Sequence, residues 1–170
     1  RIFMSTKMNV REIVISAIVA ALYVAITFVF SAVSFGPLQF RVAEILNCLV
    51  VYDRRYIWGV SLGVLIANLQ SSLGIIDITW GTLTTLITLS VVIIAIRKLT
   101  DNRVKLALTV IITTILMGFL VALELTYILK VPFFYTWATV SLGEFGVMFI
   151  GAFVMYALGK SIDLSLNKRS

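Results

Sequence analysis

The sequence predicts an all-α integral membrane protein, a single bundle of six transmembrane helices with both termini in the cytoplasm. Of its 170 residues, 61% are hydrophobic and 13% are charged, whereas soluble domains average about 45–50% and about 25%. The apolar residues form six runs, and nearly all basic residues lie on alternate connections between them. Helices are expected because lipid offers no hydrogen-bond partner to the edge of an open sheet.

Three helices are predicted in the first half of the chain. Residues 10–33 form the first, which is long enough to cross about 30 Å of hydrocarbon and too long for a signal peptide. Gly36-Pro37 forces a turn. A short second helix over 41–52 is expected to be tilted or to cross only part of the bilayer, and a third follows over 56–73.

Three longer helices complete the predicted bundle. They cover residues 80–96, 105–129 and 136–158. Pro132 precedes the last of them, in agreement with the exclusion of proline from helix interiors. One membrane domain therefore accounts for residues 1–170, and the expected location is the cell membrane with several passes.

The distribution of lysine and arginine predicts the orientation of the bundle, because cytoplasmic connections carry an excess of these residues. With the N-terminus inside, twelve of the fourteen lie on the cytoplasmic face, and only Arg41 and Lys130 lie outside. The twelve are Arg1, Lys7, Arg11, Arg54, Arg55, Arg97, Lys98, Arg103, Lys105, Lys160, Lys168 and Arg169. An even number of crossings is therefore expected.

The eight acidic residues divide between the two faces of the membrane. Four lie beside basic residues at the cytoplasmic ends and are expected to be solvated surface charges: Glu12, Asp53, Asp101 and Asp163. The other four reach a similar depth in the outer leaflet from four different segments: Glu44, Asp77, Glu124 and Glu144. Since a carboxylate at that depth must face protein, water or a ligand, these four predict an outward-facing polar cavity. The alternative, for each acid taken singly, is a charge at a helix end that reaches the membrane interface.

The stretch from residue 34 to residue 47 supplies the densest group of candidate binding residues. Arg41, Glu44 and Asn47 are spaced three apart and share one face of a helix, and Gln39 precedes them. A charged residue one turn inside the bilayer needs a partner or a ligand. The alternative is an Arg41–Glu44 ion pair that only anchors the helix at the lipid headgroups.

Other polar and aromatic residues are predicted at the same level of the membrane. Asn68 lies near the end of the third helix, Trp80 opens the fourth, and Tyr127 follows Glu124 by three residues. Each ring is within a turn of a carboxylate, so Trp80 and Tyr127 are the predicted aromatic members of the pocket. Aromatic residues are also common at membrane interfaces in general. The aromatic residues at 133–137 are therefore interpreted as interface residues.

Small residues recur at a spacing of four in two of the predicted helices. Ala17, Ala21 and Ala25 make a flat strip on the first helix, a candidate interface for a partner helix. Packing inside the bundle is the alternative. Gly59 and Gly63 repeat the spacing in the third helix, where internal packing is expected.

The composition excludes several kinds of site. The chain has no histidine, and Cys48 is its single cysteine, so a His/Cys metal site, a disulfide and a histidine-based catalytic dyad are ruled out. Gly159-Lys160-Ser161 lacks the earlier glycine of a phosphate-binding loop, because Val154 occupies that position. No catalytic residue, metal site, cofactor or nucleic-acid partner is expected in this chain.

Three stretches resemble the QueT family: FGPLQFRVAEIL at 35–46, IANL at 66–69 and DITWGTL at 77–83. The resemblance implies the six-helix S component of an energy-coupling-factor (ECF) transporter, which captures a queuosine precursor in a pocket facing outward. The implied partners are a transmembrane coupling subunit and two ABC ATPases that use ATP. The strip of Ala17, Ala21 and Ala25 resembles the surface that docks on the coupling subunit.

The implied substrate is a 7-deazaguanine such as preQ1, preQ0 or queuine. Its guanine-like edge presents adjacent N–H donors to one carboxylate, its flat ring stacks on an aromatic face, and the cationic aminomethyl group of preQ1 pairs with a second carboxylate. The carboxylates expected to recognise such a substrate are first Glu44 and Glu144, and next Asp77 and Glu124. Amide hydrogen bonds would come from Gln39, Asn47 and Asn68, and the ring would stack on Trp80 or Tyr127. Arg41 would contact either the ligand or Glu44.

Other functions stay open at this point. A small proton- or cation-coupled transporter acting alone would use Glu124 or Glu144 as the protonated site. An S component for a different vitamin would share the same fold. A membrane enzyme with paired carboxylates is disfavoured because no metal or nucleophile motif accompanies them, and a purely structural subunit leaves the outward carboxylates without a role.

Overall fold

The chain folds as a bundle of helices in a computed structural model that describes residues 8–34 and 40–166. Every regular element within those residues is a helix, which confirms the all-α prediction. A four-residue helical turn, Ser31–Ser34, follows the first helix. The six longer helices are α1 (Val10–Val29), α2 (Val42–Val51), α3 (Tyr56–Asn68), α4 (Ile75–Ile96), α5 (Asn102–Leu129) and α6 (Phe133–Ser161).

Four of these helices, α1, α4, α5 and α6, are long and apolar enough to cross a membrane. The 10 residues of α2 are wound as a 3-10 helix and rise about 20 Å at about 2 Å each. The 13 residues of α3 also rise about 20 Å. Both are shorter than the hydrocarbon core of about 30 Å, so the number of full crossings beyond four stays a prediction.

Two helix boundaries near the start of α4 differ from those predicted. α3 ends at Asn68 instead of residue 73, and α4 begins at Ile75 instead of residue 80. Gly74 has a positive φ of 68°, a conformation that glycine adopts at little cost, so the chain reverses there and the next helix starts at once. Asp77 therefore lies in the first turn of α4 and not in a loop, at the helix end where a carboxylate is favoured by the helix dipole.

α1 and α3 pack closely through the two glycines of α3. A Cβ atom on Gly59 would lie 2.8 Å from the carbonyl oxygen of Ser16, and one on Gly63 would lie 2.7 Å from Cβ of Tyr23. Only glycine allows the two backbones to approach this closely. Internal packing is thus confirmed for Gly59 and Gly63.

The alanine strip of α1 points away from this contact. Ala17, Ala21 and Ala25 are all exposed on the bundle surface, whereas Ser16 and Tyr23 on the opposite face are buried. The strip is therefore not used for packing inside the bundle.

An ionic cluster around Arg55 joins α1 to the connection between α2 and α3. Arg55 forms salt bridges with Glu12 and with Asp53, the latter at 2.7 Å. Burial alone would raise the pKa of Asp53, but hydrogen bonds from Arg55 and from the Leu166 amide hold it below its ordinary value. The prediction that Glu12 and Asp53 are solvated surface charges is wrong, because only 5% of Glu12 and 8% of the Asp53 side chain are exposed.

The segment after α6 returns to the same cluster. The Leu166 amide donates to Asp53 at 3.1 Å, and the Tyr56 hydroxyl donates to the Leu164 carbonyl at 2.9 Å. Since Glu12 near the start of α1 also reaches Arg55, both described ends of the chain lie at one end of the bundle. We call this the terminal end and the opposite one the distal end.

Removing the Arg55 side chain should destabilise the bundle, because it leaves Glu12 and Asp53 buried or half-buried without their cation. We expect Arg55→Met to lower the free energy of unfolding by about 1–3 kcal/mol, measured as a lower thermal midpoint in detergent. Arg54→Met is the matched control, since Arg54 is exposed and, in the part of the chain described, forms no salt bridge. Equal shifts in the two variants would contradict the role given to Arg55.

Candidate binding site

Four carboxyl side chains from four helices meet in the distal half of the bundle. Glu44 comes from α2, Asp77 from α4, Glu124 from α5 and Glu144 from α6, and all four line one small cavity. Their exposed fractions are only 2–7%. The structure therefore brings together the four acids that the sequence placed at similar depth, and with them Arg41, which precedes α2.

The rest of the cavity wall was not foreseen from the sequence. It consists of small, hydroxyl and apolar side chains of α4, α5 and α6: Gly81, Thr84, Thr85, Met117, Val121 and Val140. On α4, Asp77, Gly81 and Thr84 are four and three residues apart, the spacing of one helix face. The free volume is about 20 Å³, which holds about one water molecule.

Arg41 and Asp77 form an ion pair that links α2 to α4. The guanidinium Nη2 lies 3.6 Å from Asp77 Oδ1, and the two side chains are 12% and 3% exposed. A buried charge of this kind is costly unless it is paired. The pairing of Arg41 therefore reaches across the bundle to a second helix.

Glu44 is held by two neighbouring side chains. The Tyr23 hydroxyl donates to Glu44 Oε1 at 2.7 Å, and Asn47 Nδ2 donates to Glu44 Oε2. The 3-10 winding of α2 aligns residues three apart, which puts Asn47 directly beside Glu44. The predicted common face of Glu44 and Asn47 is thus present in the structure.

Sequence reasoning missed Tyr23, which is completely buried in α1. A signal for it exists, since Ser16, Tyr23 and Thr27 are polar residues on one face of an otherwise apolar helix. A tyrosine hydroxyl buried at membrane depth requires a hydrogen-bond partner, and in this bundle that partner is Glu44.

Asn68 approaches the cavity because Gly81 leaves room for it. Its amide nitrogen donates to the Asp77 carbonyl at 3.0 Å. A Cβ atom on Gly81 would lie only 2.4 Å from that nitrogen. Asn68 therefore ties the end of α3 to the first turn of α4, beside the carboxylate of Asp77.

Several buried acceptor atoms around the cavity have no hydrogen-bond partner among the described residues. They are Asn47 Oδ1, Asn68 Oδ1, Asp77 Oδ2, Glu124 Oε1 and Glu144 Oε1. Buried acceptors are costly to leave unpaired. A ligand rich in N–H donors would satisfy them.

The charges of the cluster favour the same kind of ligand. Four carboxyl groups face one guanidinium, and burying several carboxylates together is unfavourable unless protons or a cation balance them. An anionic ligand would add to the repulsion. No group of three or more His, Cys, Asp or Glu side chains in the described residues is arranged to hold a metal ion.

Four predicted residues within the described part of the chain do not line this cavity: Asn47, Asn68, Trp80 and Tyr127. Asn47 and Asn68 lie beside it, bonded to Glu44 and to the Asp77 carbonyl. Trp80 is half-buried and donates from Nε1 to the Leu120 carbonyl at 2.9 Å, so it joins α4 to α5. Tyr127 is 73% exposed, with the Lys130 ammonium 5.2 Å from its ring centroid. Gln39 lies outside the described residues.

A departure from regular helix in α5 accompanies the site. Residues Thr113–Met117 form a π-helical turn, and Met117 at its end lines the cavity. Trp137 of α6 donates from Nε1 to the Ile115 carbonyl within this turn at 3.3 Å. Such π-helical turns often occur at functional sites, and this one precedes Val121 and Glu124 on the cavity wall.

A multi-pass helical bundle that encloses charged side chains in a cavity between its helices has the arrangement that membrane transporters use for substrate and ion sites. The family model described as "QueT transporter" matches residues 13–160. The chain is 40% identical to the "Queuosine precursor transporter QueT" of Lactococcus lactis subsp. cremoris (strain MG1363), over 167 residues that cover 94% of this chain and 98% of that relative. The chain therefore belongs to the QueT transporter family, a family of transporters and not of enzymes, and no solved structure matches it.

A methyl group at Gly81 should disturb the site because it collides with Asn68. We expect Gly81→Ala to break the bond from Asn68 to the Asp77 carbonyl and to lower the free energy of unfolding by about 1–3 kcal/mol. Thermal unfolding in detergent measures the change.

Gly146→Ala is the matched control for this substitution. A Cβ atom at Gly146 in α6 meets nothing within 4 Å, so this variant should gain about 0.5–1 kcal/mol from helix propensity. A Gly81→Ala protein as stable as the Gly146→Ala protein would show that Asn68 is not held as described.

Proposed function

We propose that this chain is the S component of an ECF-type importer and that it binds a queuosine precursor, a 7-deazaguanine such as preQ1, preQ0 or queuine. An ATP-driven coupling module would complete the transport cycle, with ATP used by partner ATPases and no cofactor in this chain. The name of the Lactococcus lactis relative supports the substrate class. The surplus of buried acceptors in the distal cavity is the observation that carries the proposal.

The chemistry of a 7-deazaguanine matches this surplus. Its guanine-like edge offers adjacent N–H donors that one carboxylate accepts in parallel, and the aminomethyl group of preQ1 adds a cation for a second carboxylate. Glu144 and Glu124 each have an oxygen atom without a partner in the described residues. Glu44 already accepts from Tyr23 and Asn47, so its bonds fix its position beside the ligand.

Binding of a bicyclic base requires the cavity to open. A free volume of about 20 Å³ has room for one water, so the helices or side chains that surround it must move apart. Met117, Val121 and Val140 supply apolar walls for the faces of the ring. The predicted stacking on Trp80 or Tyr127 would need a rearrangement, because neither ring lines the cavity.

The exposed alanine strip of α1 supports the docking step of the proposal. Ala17, Ala21 and Ala25 present a flat apolar surface on the side of α1 that faces away from α3. Small residues allow a partner helix to approach closely within the membrane. We assign this surface to the transmembrane coupling subunit.

A proton- or cation-coupled transporter acting alone is the second candidate function. The unpartnered oxygen atoms of Glu124 and Glu144 suit a site that takes up a proton or a small cation. Uptake of a queuosine precursor into liposomes that contain this chain alone, driven by a proton gradient, would favour that function. The ECF proposal expects no such uptake without the coupling module.

Loss of a recognition carboxylate should weaken substrate binding. We expect Glu144→Gln and Glu44→Gln to raise the Kd for preQ1 by about 10- to 100-fold, since a hydrogen bond to a charged group contributes about 1.5–3 kcal/mol. Titration of tryptophan fluorescence with preQ1, guanine and riboflavin measures the effect and the selectivity.

Asp101→Asn serves as the control for these substitutions, because Asp101 is an exposed carboxylate at the terminal end. It should leave the Kd unchanged. A wild-type protein that is indifferent to preQ1 would contradict the substrate assignment.

A bulky residue on the alanine strip should block transport and spare binding. Ala21→Trp is expected to abolish uptake by the complex with its coupling module, while the Kd for preQ1 stays at the wild-type value. Ala95→Trp is the matched control on the exposed side of α4 and should transport normally. Loss of both binding and uptake in Ala21→Trp would contradict a role of the strip in docking alone.

A further inference from the structure

A long apolar groove runs between α5 and α6 on the outer surface of the bundle. Its volume is about 560 Å³, within the range of about 300–1,000 Å³ typical of ligand sites. The apolar walls are formed mainly by Leu106, Val110, Ile111, Phe145, Phe149 and Phe153. The groove occupies the terminal half of the two helices, whereas the distal cavity uses residues 117–124 of α5 and 140–144 of α6.

The phenylalanines of α6 form a continuous column along the groove. Phe145 stacks on Phe149 with their ring centroids 5.6 Å apart, and Phe149 meets Phe153 edge-on at 5.1 Å. The three side chains are 44–65% exposed. Their rings therefore contribute to a surface and not to the core of the bundle.

The terminal end of the groove carries two cations on one aromatic ring. Arg103 Nε donates to the Tyr156 hydroxyl at 2.8 Å, and its guanidinium carbon lies 5.4 Å from the ring centroid. The Lys160 ammonium lies 4.5 Å from the same centroid. Arg103 and Tyr156 belong to the groove itself.

These two cations are not neutralised by an ion pair in the part of the chain that the structure describes. Neither Arg103 nor Lys160 forms a salt bridge there. Asp101, the acid nearest in sequence to Arg103, accepts the Arg103 backbone amide at 2.8 Å as the cap of α5. Two like charges held at one ring repel each other, and an anion between them would remove the repulsion.

We propose that the α5–α6 groove is a specific site for an anionic phospholipid. The phosphodiester would bind Arg103 and Lys160, and one acyl chain would lie along the column of Phe145, Phe149 and Phe153. The apolar groove and the two cations meet at Tyr156. A phospholipid with its acyl chain in the groove would therefore place its headgroup beside the cations. A basic pocket between transmembrane helices at the membrane surface favours anionic headgroups, whereas a zwitterionic headgroup brings a cation of its own.

The groove and the alanine strip lie on different parts of the bundle. α1 packs against α3 and α2, while the groove belongs to α5 and α6. A lipid in the groove would therefore stay bound when α1 docks on a partner. Because it touches both helices beyond the end of the distal cavity, it would hold α5 and α6 together without entering the substrate site.

The test measures lipid binding to the intact chain in detergent by native mass spectrometry and thermal unfolding. Phosphatidylglycerol is expected to stay bound and to raise the thermal midpoint, whereas phosphatidylcholine and soluble glycerol phosphate should do neither. In Arg103→Gln/Lys160→Gln the retention of phosphatidylglycerol should fall at least 10-fold. Ala107→Trp, which fills the groove from an exposed position, should also reduce retention while keeping both cations.

Arg97→Gln/Lys98→Gln is the matched control, since it removes the same charge from exposed residues at the same end of the bundle. It should bind lipid as the wild type does. Equal losses in the two double variants would overturn the proposal in favour of a general attraction to basic residues, and equal binding of phosphatidylcholine would show ordinary lipid contact. Competition by glycerol phosphate would indicate a site for phosphate alone. A wild-type protein that retains no lipid would also overturn it and leave the groove to a protein partner.

Discussion

The arrangement of the helices depends on the cost of placing charge inside an apolar bundle. Glu44, Asp77, Glu124 and Glu144 each come from a different helix, and lipid cannot solvate any of them. Each helix must therefore turn its acid towards the other three and towards Arg41. The Arg41–Asp77 pair and the Tyr23–Glu44 hydrogen bond join α1, α2 and α4 in this way. With the polar side of each helix turned inward, its apolar sides pack against the neighbouring helices or face lipid.

The two polar clusters of the bundle differ in how completely they are satisfied. At the terminal end, Arg55 holds Glu12 and Asp53, and the oxygen atoms of these acids are not among the buried atoms that lack a partner in the described residues. At the distal end, Glu124 and Glu144 both have such an atom. A cluster that serves only stability is expected to be fully paired. The difference favours a structural role for the first cluster and supports the binding role that we propose for the second.

Apolar runs and acid positions were readable from the sequence because both follow from the cost of charge in lipid. They predicted six apolar helices, the short α2, and the four acids that share one cavity. The turn at Gly74 could not be predicted from the sequence. It depends on the positive φ of this one residue, and that turn decides whether Asp77 lies in a loop or in a helix. Tyr23 and Thr84 were missed because hydroxyl groups are common in transmembrane helices, and only the three-dimensional packing shows which of them meet a carboxylate.

The unpartnered acceptors also indicate how binding would be communicated to the rest of the bundle. Those of Asn47, Asn68, Asp77, Glu124 and Glu144 belong to five different helices, so a single ligand that satisfies several of them ties those helices together. The closed cavity must first open, and this cost is recovered only by a ligand with enough donors to reach more than one helix. Selectivity for a donor-rich base and a change in helix arrangement would then have the same cause. A ligand that satisfied one acid alone would leave the other acceptors unpaired and would not hold the open state.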